Sequence, residues 1–128
     1  MRLTKDKLEP KKDFRSLGYV RLWRGFQDDP LYKKRRKFSQ WEAWEYLLMN
    51  ARGADTVVPF HGRIVRLNRG QLVTSQRILA KRWGWDRCSI RNFLGKLERR
   101  NSISNKGIKE AGGFSIITLL KYEELNPK

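Results

Sequence analysis

The sequence predicts an α+β fold in which two helices joined by a tight glycine turn are followed by a β-hairpin. Two helix-capping residues, Ser75 and Asp86, lie on either side of Gly84. After each cap, apolar residues recur at spacings of three and four, the period of an amphipathic helix. Beyond residue 101, two runs rich in β-branched residues flank a segment that contains glycine, which indicates a hairpin.

The chain carries far more positive than negative charge. Its 128 residues include 29 Lys and Arg against 13 Asp and Glu, a formal charge of +16. Solubility does not require such an excess, which implies a polyanionic partner: nucleic acid, an anionic membrane surface or an acidic protein. No apolar stretch is long enough for a membrane span, and residues 1–10 lack the pattern of a secretory signal. With a single cysteine, Cys88, we expect a cytoplasmic protein.

The chain is predicted to divide into three parts. Residues 1–17 are charged and lack apolar periodicity, which indicates a flexible basic arm. This arm is either a plain solvated tail or an added source of affinity for phosphates. Residues 18–122 form one domain with enough apolar side chains for a single core, and residues 123–128 form a C-terminal tail.

The domain is predicted to begin with a short element and a basic run. The segment 19–26 shifts from alternating toward helical spacing, and Pro30 excludes helix at Asp29. Residues 33–37 are five consecutive cations. Such a run indicates either a solvated loop or a patch that contacts phosphates.

A helix is predicted from Ser39 to about Arg52. Ser39 and Glu42 have the spacing of a capping box. The apolar residues that follow fall at helical spacing and form one stripe, which we assign to the core: Trp41, Trp44, Leu47, Leu48 and Ala51.

A hairpin is predicted next. Residues 68–70, Asn-Arg-Gly, lie between the β-rich runs 63–67 and 71–74. His61 is the single histidine and has no partner at metal-ligand spacing, so we expect no metal and no cofactor.

The helix pair predicts a helix-turn-helix. Ser75 begins a first helix, and Gly84 permits the left-handed conformation that ends it. Trp85 makes the turn and Asp86 caps the second helix. The positions predicted to face the core are Ile78, Leu79 and Trp83 in the first helix and Ile90, Phe93, Leu94 and Leu97 in the second.

The other face of the second helix is predicted to face solvent. It has four cations and no acid: Arg87, Cys88, Arg91, Asn92, Gly95, Lys96 and Arg99. Over residues 77–100, eight cations stand against two acids, whereas a merely soluble helix mixes signs. Arg and Asn side chains suit guanine and adenine edges in the major groove, so this face predicts DNA recognition.

A second hairpin follows in residues 102–122. The order of helix, turn, helix and hairpin is that of a winged helix, whose second helix enters a major groove. Lys106 and Lys109 are predicted to lie at the hairpin tip, along the DNA backbone, although Glu110 lowers the charge there. The alternative is a hairpin that only completes the sheet.

Several segments resemble the N-terminal winged-helix domains of phage replisome organisers and DnaD-like replication initiation proteins. The resemblance covers about residues 18–122 and is most specific where RGQLVTS precedes LAKRWGW. It rests on GYVRLWR, DDPLY, FSQWEAWEYLLMNAR, GRIVRLNRGQLVTSQRILAKRWGWDRCSIRNFLGKLE and FSIITLLKY.

This resemblance implies a sequence-specific, double-stranded-DNA-binding module of a replication initiation protein, in a bacterial or phage-infected cell. Such domains are often joined to a C-terminal helical domain that recruits replication proteins. The sequence does not include one, so we expect either a fragment of a longer protein or a small protein that uses only the DNA-binding part. The resemblance also implies DNA contacts at Ser75, Gln76, Arg87, Ser89, Arg91, Asn92 and Lys96.

An enzyme is not expected. The chain has one His, one Cys, no glycine-rich phosphate loop and no clustered carboxylates. Cys88, near a helix N-terminus and beside Arg87, is interpreted as a small groove-facing residue rather than a nucleophile. Two further functions stay open: a winged-helix transcriptional repressor or regulator, and a winged-helix protein-interaction domain that binds an acidic partner.

Overall fold

The computed structural model describes residues 22–33, 36–108 and 114–126, so the predicted basic arm lies outside the described residues. Contacts divide the chain into two units, Met1–Lys33 and Lys34–Lys128. In the first unit, a 3-10 helix spans Arg24–Asp28 and helix α1 spans Pro30–Lys33. Asp29 between them is extended, as predicted from the proline that follows it.

Helix α2 spans Gln40–Asn50 and begins with the predicted capping box. The Ser39 hydroxyl accepts the Glu42 amide at 3.2 Å, and the Glu42 carboxylate accepts the Ser39 amide at 3.0 Å. The helix ends slightly before the predicted residue, because Ala51 is already extended.

This capping box is expected to make stability depend on pH. The bond from the Ser39 amide, together with Arg36, lowers the pKa of Glu42 from its usual value of 4.5. Its contribution to stability is therefore complete above pH 4.5 and is lost as the pH falls through the lower pKa of the folded state. We expect the melting temperature of the parent to fall more steeply on acidification than that of Glu42→Gln. Parallel pH profiles for the two proteins would contradict this role.

The assignment of Trp41 to the core was wrong. The buried residues of α2 are Ala43, Leu47 and Met49, while the Trp41 side chain is 65% exposed. The two wholly buried residues of α2, Ala43 and Leu47, lie about 160° and about 120° around the helix from Trp41, so Trp41 does not share their face. Trp44, one residue after Ala43, is half-buried.

The strands β1, Thr56–Phe60, and β2, Arg63–Leu67, form an antiparallel hairpin. The two residues between them, His61 and Gly62, have φ values of 50° and 77°, the left-handed conformations of a tight hairpin turn. The hairpin predicted between residues 63–67 and 71–74 was therefore wrong, since β2 pairs with the strand before it.

The second sheet contains β3, Gln71–Thr74, β4, Ile103–Ile108, and β5, Phe114–Leu119. Its order is β3-β5-β4, and both pairings are antiparallel. The hairpin predicted after the helix pair is confirmed. However, its strands are longer than expected, so Lys106 lies within β4, paired with Ile116, and not at the tip.

Helices α3, Gln76–Trp83, and α4, Arg87–Arg99, bury most of the predicted apolar positions. Ile78 is the exception, because it is half-buried. The confirmed positions are Leu79, Trp83, Ile90, Phe93, Leu94 and Leu97. The described part of the chain is thus a mixed α+β structure of helices and small sheets.

A short helix, α5, spans Tyr122–Leu125 and crosses the predicted start of the C-terminal tail. The Arg69 guanidinium lies 5.0 Å from the centre of the Tyr122 ring and donates to the Glu123 carboxylate at 2.6 Å. It also donates to the Asn126 carbonyl at 2.6 Å. Residues 123–126 are therefore held by Arg69 against the connection between β2 and β3.

Among the helices of the described residues, none has the length and apolar character needed to cross a membrane.

Candidate nucleic-acid interface

The turn between α3 and α4 has the caps that the sequence predicts. The Ser75 hydroxyl accepts the Ile78 amide at 3.2 Å at the start of α3. Gly84 ends that helix with φ 71°, in the left-handed region. Asp86 then accepts the Ser89 amide at 2.7 Å and begins α4. The orientation of α4 is thus set by local hydrogen bonds at both sides of a short turn.

This turn is also bonded to the segment that precedes α2. The Phe38 amide donates to the Trp83 carbonyl at 2.8 Å, and the Trp85 indole N–H donates to the Phe38 carbonyl at 2.8 Å. A Cβ atom on Gly84 would lie only 3.2 Å from the Cα of Lys37. The second half of the basic run is therefore held beside the start of α4.

Lys37 and Arg36 have different surroundings in this segment. Lys37 is exposed, and its charge contributes, after the hydrogen bond from the Ser89 amide, to the lowered pKa of Asp86. Arg36 donates to the Glu42 carboxylate at 3.0 Å and lies 5.1 Å from the centre of the Phe38 ring. Lys37 is thus available to a ligand beside α4, whereas Arg36 stabilises the start of α2.

The solvent face of α4 matches the prediction from its periodicity. Six of the seven outward positions are exposed, and Gly95 is half-buried: Arg87, Cys88, Arg91, Asn92, Lys96 and Arg99 are the exposed six. Glu98 is the one acid in the helix, and its carboxylate accepts the Asn105 amide of β4 at 3.3 Å. Glu98 is also exposed and, seven residues after Arg91, lies on the same side of the helix, so the solvent side of α4 carries four cations and one acid.

A groove lies between this face and the start of α2. Its volume is about 580 Å³. At its edge, the Lys96 ammonium donates to the Gln40 side-chain carbonyl at 3.4 Å. The groove contains three cations and no acid, with hydroxyl and amide groups and an aromatic floor: Lys37, Phe38, Ser39, Gln40, Trp85, Ser89, Asn92, Phe93, Lys96 and Arg99. Such a lining is suited to a phosphate-bearing ligand.

The structure brings four of the predicted site residues into this groove: Ser89, Asn92, Lys96 and Arg99. Arg87 and Arg91 are exposed on the same helix outside it. Ser75 and Gln76 are half-buried at the start of α3, where the Ser75 hydroxyl is used as a cap. Lys106 is exposed on β4, and Lys109 lies outside the described residues.

Sequence reasoning missed the contribution of the segment before α2. Lys37, Ser39 and Gln40 line the groove, yet the sequence separates them from α4 by more than forty residues. The signal in the sequence that could have indicated this contribution was the basic run at residues 33–37, directly before the capping box. That run fits a solvated loop and a phosphate-contacting patch equally well. The two backbone bonds at Phe38 decide its location, and they are not visible in any local pattern.

The described residues contain no group of three or more His, Cys, Asp or Glu side chains that could hold a metal ion. Comparisons of the chain with protein-family models, with curated proteins and with solved structures gave no match.

Proposed function

We propose that this chain is a sequence-specific double-stranded-DNA-binding protein of the winged-helix type, and not an enzyme. The observation that carries the proposal is the exposed side of α4, where four cations accompany Asn92 and the one acid, Glu98, accepts a hydrogen bond from the Asn105 amide of β4. In a winged helix, the second helix of the pair enters the major groove and the following hairpin lies along the backbone. The observed order of α3, α4, β4 and β5 is compatible with that docking.

The residues of α4 divide into two roles in this proposal. Arg91 and Asn92 lie in the second turn of the helix and are exposed, so they can reach base edges. Lys96 and Arg99 lie in the groove with Lys37, where they would bind phosphates and set the register of the protein on the duplex. Ser89 at the start of α4 would add a hydrogen bond to backbone or base.

For the biological role, we propose a replication initiation module that recognises an origin, in a bacterial or phage-infected cell. The resemblance of residues 18–122 to replisome organisers supports this role. A transcriptional repressor or regulator would use the same α4 face. The location of the selected site distinguishes them, because an origin module binds a replication origin and a regulator binds a promoter.

A protein-interaction domain is the second candidate, and one observation favours it. Val57 and Ile64 are 52% and 80% exposed on the outer side of the β1–β2 hairpin. Exposed apolar side chains that lie together indicate a contact with another protein. This function would use the hairpin rather than α4.

The experiment that tests DNA binding is a gel shift on mixed genomic fragments, followed by titrations at several salt concentrations on the recovered site. For about five phosphate contacts, the slope of log K against log salt is expected to be roughly −4 to −5. A slope near zero would exclude the electrostatic mode proposed here, and no shifted fragment would favour the protein-interaction candidate.

A further inference from the structure

The β1–β2 hairpin covers one face of the three-stranded sheet. Side chains alternate between faces along a strand, so Ile117 and Leu119 share one face of β5 while Phe114 and Ile116 share the other. The second face packs against the hairpin through an apolar cluster of Val58, Phe60, Val65, Leu67, Val73, Phe114 and Ile116. The hairpin is therefore a fixed part of the domain and not a loop that extends into solvent.

The β1–β2 turn lies next to the first residue of β5. Phe60 and Arg63 flank the β1–β2 turn, and Phe114 is the first residue of β5 after the β4–β5 connection. The rings of Phe60 and Phe114 have centroids 5.4 Å apart. The Arg63 guanidinium carbon lies 5.9 Å from the centre of the Phe114 ring. The β1–β2 turn thus lies at the end of the sheet where β4 ends and β5 begins.

This end of the sheet is basic. Lys106 pairs with Ile116, so it lies on the face of the sheet that the β1–β2 hairpin covers, near Phe114. Arg63 and Lys106 are exposed. The five strand segments named above, as far as the structure describes them, contain no Asp or Glu. The strands that carry Arg63 and Lys106 thus contribute cations and no acids to this end of the sheet.

We propose that the β1–β2 hairpin is a second contact with the DNA backbone, in which Arg63 and Lys106 bind phosphates of the duplex. This inference rests on the proposed function and adds to it a surface that is separate from α4. A winged helix already places one hairpin along the backbone, and here the β1–β2 turn lies beside the start of β5, the second strand of that hairpin. An arginine held against an aromatic ring keeps its orientation toward a phosphate at a lower entropic cost than a freely moving side chain.

The test is a salt titration of Arg63→Gln and Lys106→Gln on the selected site and on a scrambled duplex. Glutamine at residue 63 retains a side-chain stem against Phe114 but removes the charge. Each variant is expected to lose one phosphate contact, so the slope of log K against log salt becomes shallower by about 0.9. Affinity for the two duplexes should fall by similar factors, because a backbone contact carries no sequence information.

Arg52→Gln is the matched control. Arg52 is exposed, and its backbone bonds to Gly70 and Gln71, while the Gly70 carbonyl accepts the Leu119 amide. Leu119 is the end of β5 opposite Phe114, so Arg52 lies at the end of the sheet away from the β1–β2 turn. Its replacement should leave the slope unchanged. Arg63→Lys, which keeps the charge, should retain the slope of the parent.

The outcomes separate this inference from the proposed function. Steep, salt-dependent binding by the parent with the same slope for Arg63→Gln would overturn the hairpin contact and leave the α4 proposal standing. Absence of DNA binding by the parent would overturn both. An equal loss of slope in Arg52→Gln would also overturn the hairpin contact, since the effect would then reflect net charge and not location. Circular dichroism of each variant confirms that the fold is retained.

Discussion

Replacing Trp83 by alanine is expected to destabilise the domain by about 3 to 5 kcal/mol. The Trp83 side chain is fully buried, and its ring lies 5.0 Å from that of Trp85 and 5.9 Å from that of Phe93. Tyr46 of α2 also packs against it at 5.9 Å. Alanine would leave a cavity where α2, α3 and α4 meet. The measurement is the free energy of unfolding by denaturant titration.

Trp41→Ala provides the matched control, because it is the same substitution at a position that is 65% exposed. Its effect on the free energy of unfolding should stay within about 0.5 kcal/mol. Trp83→Phe tests the reason for the loss. The Trp83 indole N–H has no hydrogen-bond acceptor among the described residues, so phenylalanine removes volume but no hydrogen bond. Its cost should therefore be smaller than that of alanine.

If Trp83→Ala retained the stability of the parent but lost DNA binding, the proposed role of this ring as a packing residue would be wrong.

Replacing Arg91 or Asn92 by alanine is expected to reduce binding to the selected site by about 1 to 3 kcal/mol and to change binding to random DNA little. Both side chains are exposed on α4, and the Asn92 amide makes only a long contact of 3.7 Å with the Cys88 sulfur. Removal of either side chain should therefore lower the affinity for the selected site and leave the free energy of unfolding unchanged. The measurement is the ratio of affinities for the selected and the scrambled duplex at one salt concentration.

Lys106→Ala is the comparison for these two variants. A residue that contacts only phosphates should weaken binding to both duplexes by similar factors and leave the ratio of affinities unchanged. If Arg91→Ala and Asn92→Ala also left that ratio unchanged, α4 would not be the element that reads the sequence. The hairpins or a protein-binding mode would then have to replace it.

The helix pair could be predicted because its determinants are local. Ser75, Gly84 and Asp86 each act within four residues of their own position, through a cap or a left-handed turn. The apolar spacing of α4 likewise fixed its buried face without knowledge of any partner. The exposure of Arg91, Asn92 and Lys96 followed directly from that spacing.

Strand pairing could not be predicted in the same way, because it depends on partners that are distant in the sequence. Gly70 resembled a hairpin turn, yet its amide donates to the Arg52 carbonyl at 2.8 Å and its carbonyl accepts the Leu119 amide at 2.8 Å. The chain passes there from one sheet to the next. The turn that does form a hairpin is His61-Gly62, and positive φ values are uncommon for residues other than glycine, although His adopts them more often than most.

The groove depended on the same kind of long-range information. The bonds between Phe38 and the α3–α4 turn connect residues separated by more than forty positions. A capping box and a basic run predicted where α2 begins, but not that its start would lie beside α4. Trp41 shows a related limit. Its spacing placed it with the core residues of α2, but spacing alone does not show which apolar side chains of a helix meet the rest of the protein.

The central position of β5 has a consequence for aggregation. Its sequence, FSIITL, has no charge, no proline and no glycine, which is the composition of segments that stack into amyloid-like sheets. In the native structure both of its edges are paired, with β3 on one side and β4 on the other. The β1–β2 hairpin packs over Phe114 and Ile116 on one of its faces. The fold therefore keeps its most strand-forming, uncharged segment away from other copies of the chain for as long as the sheet remains intact.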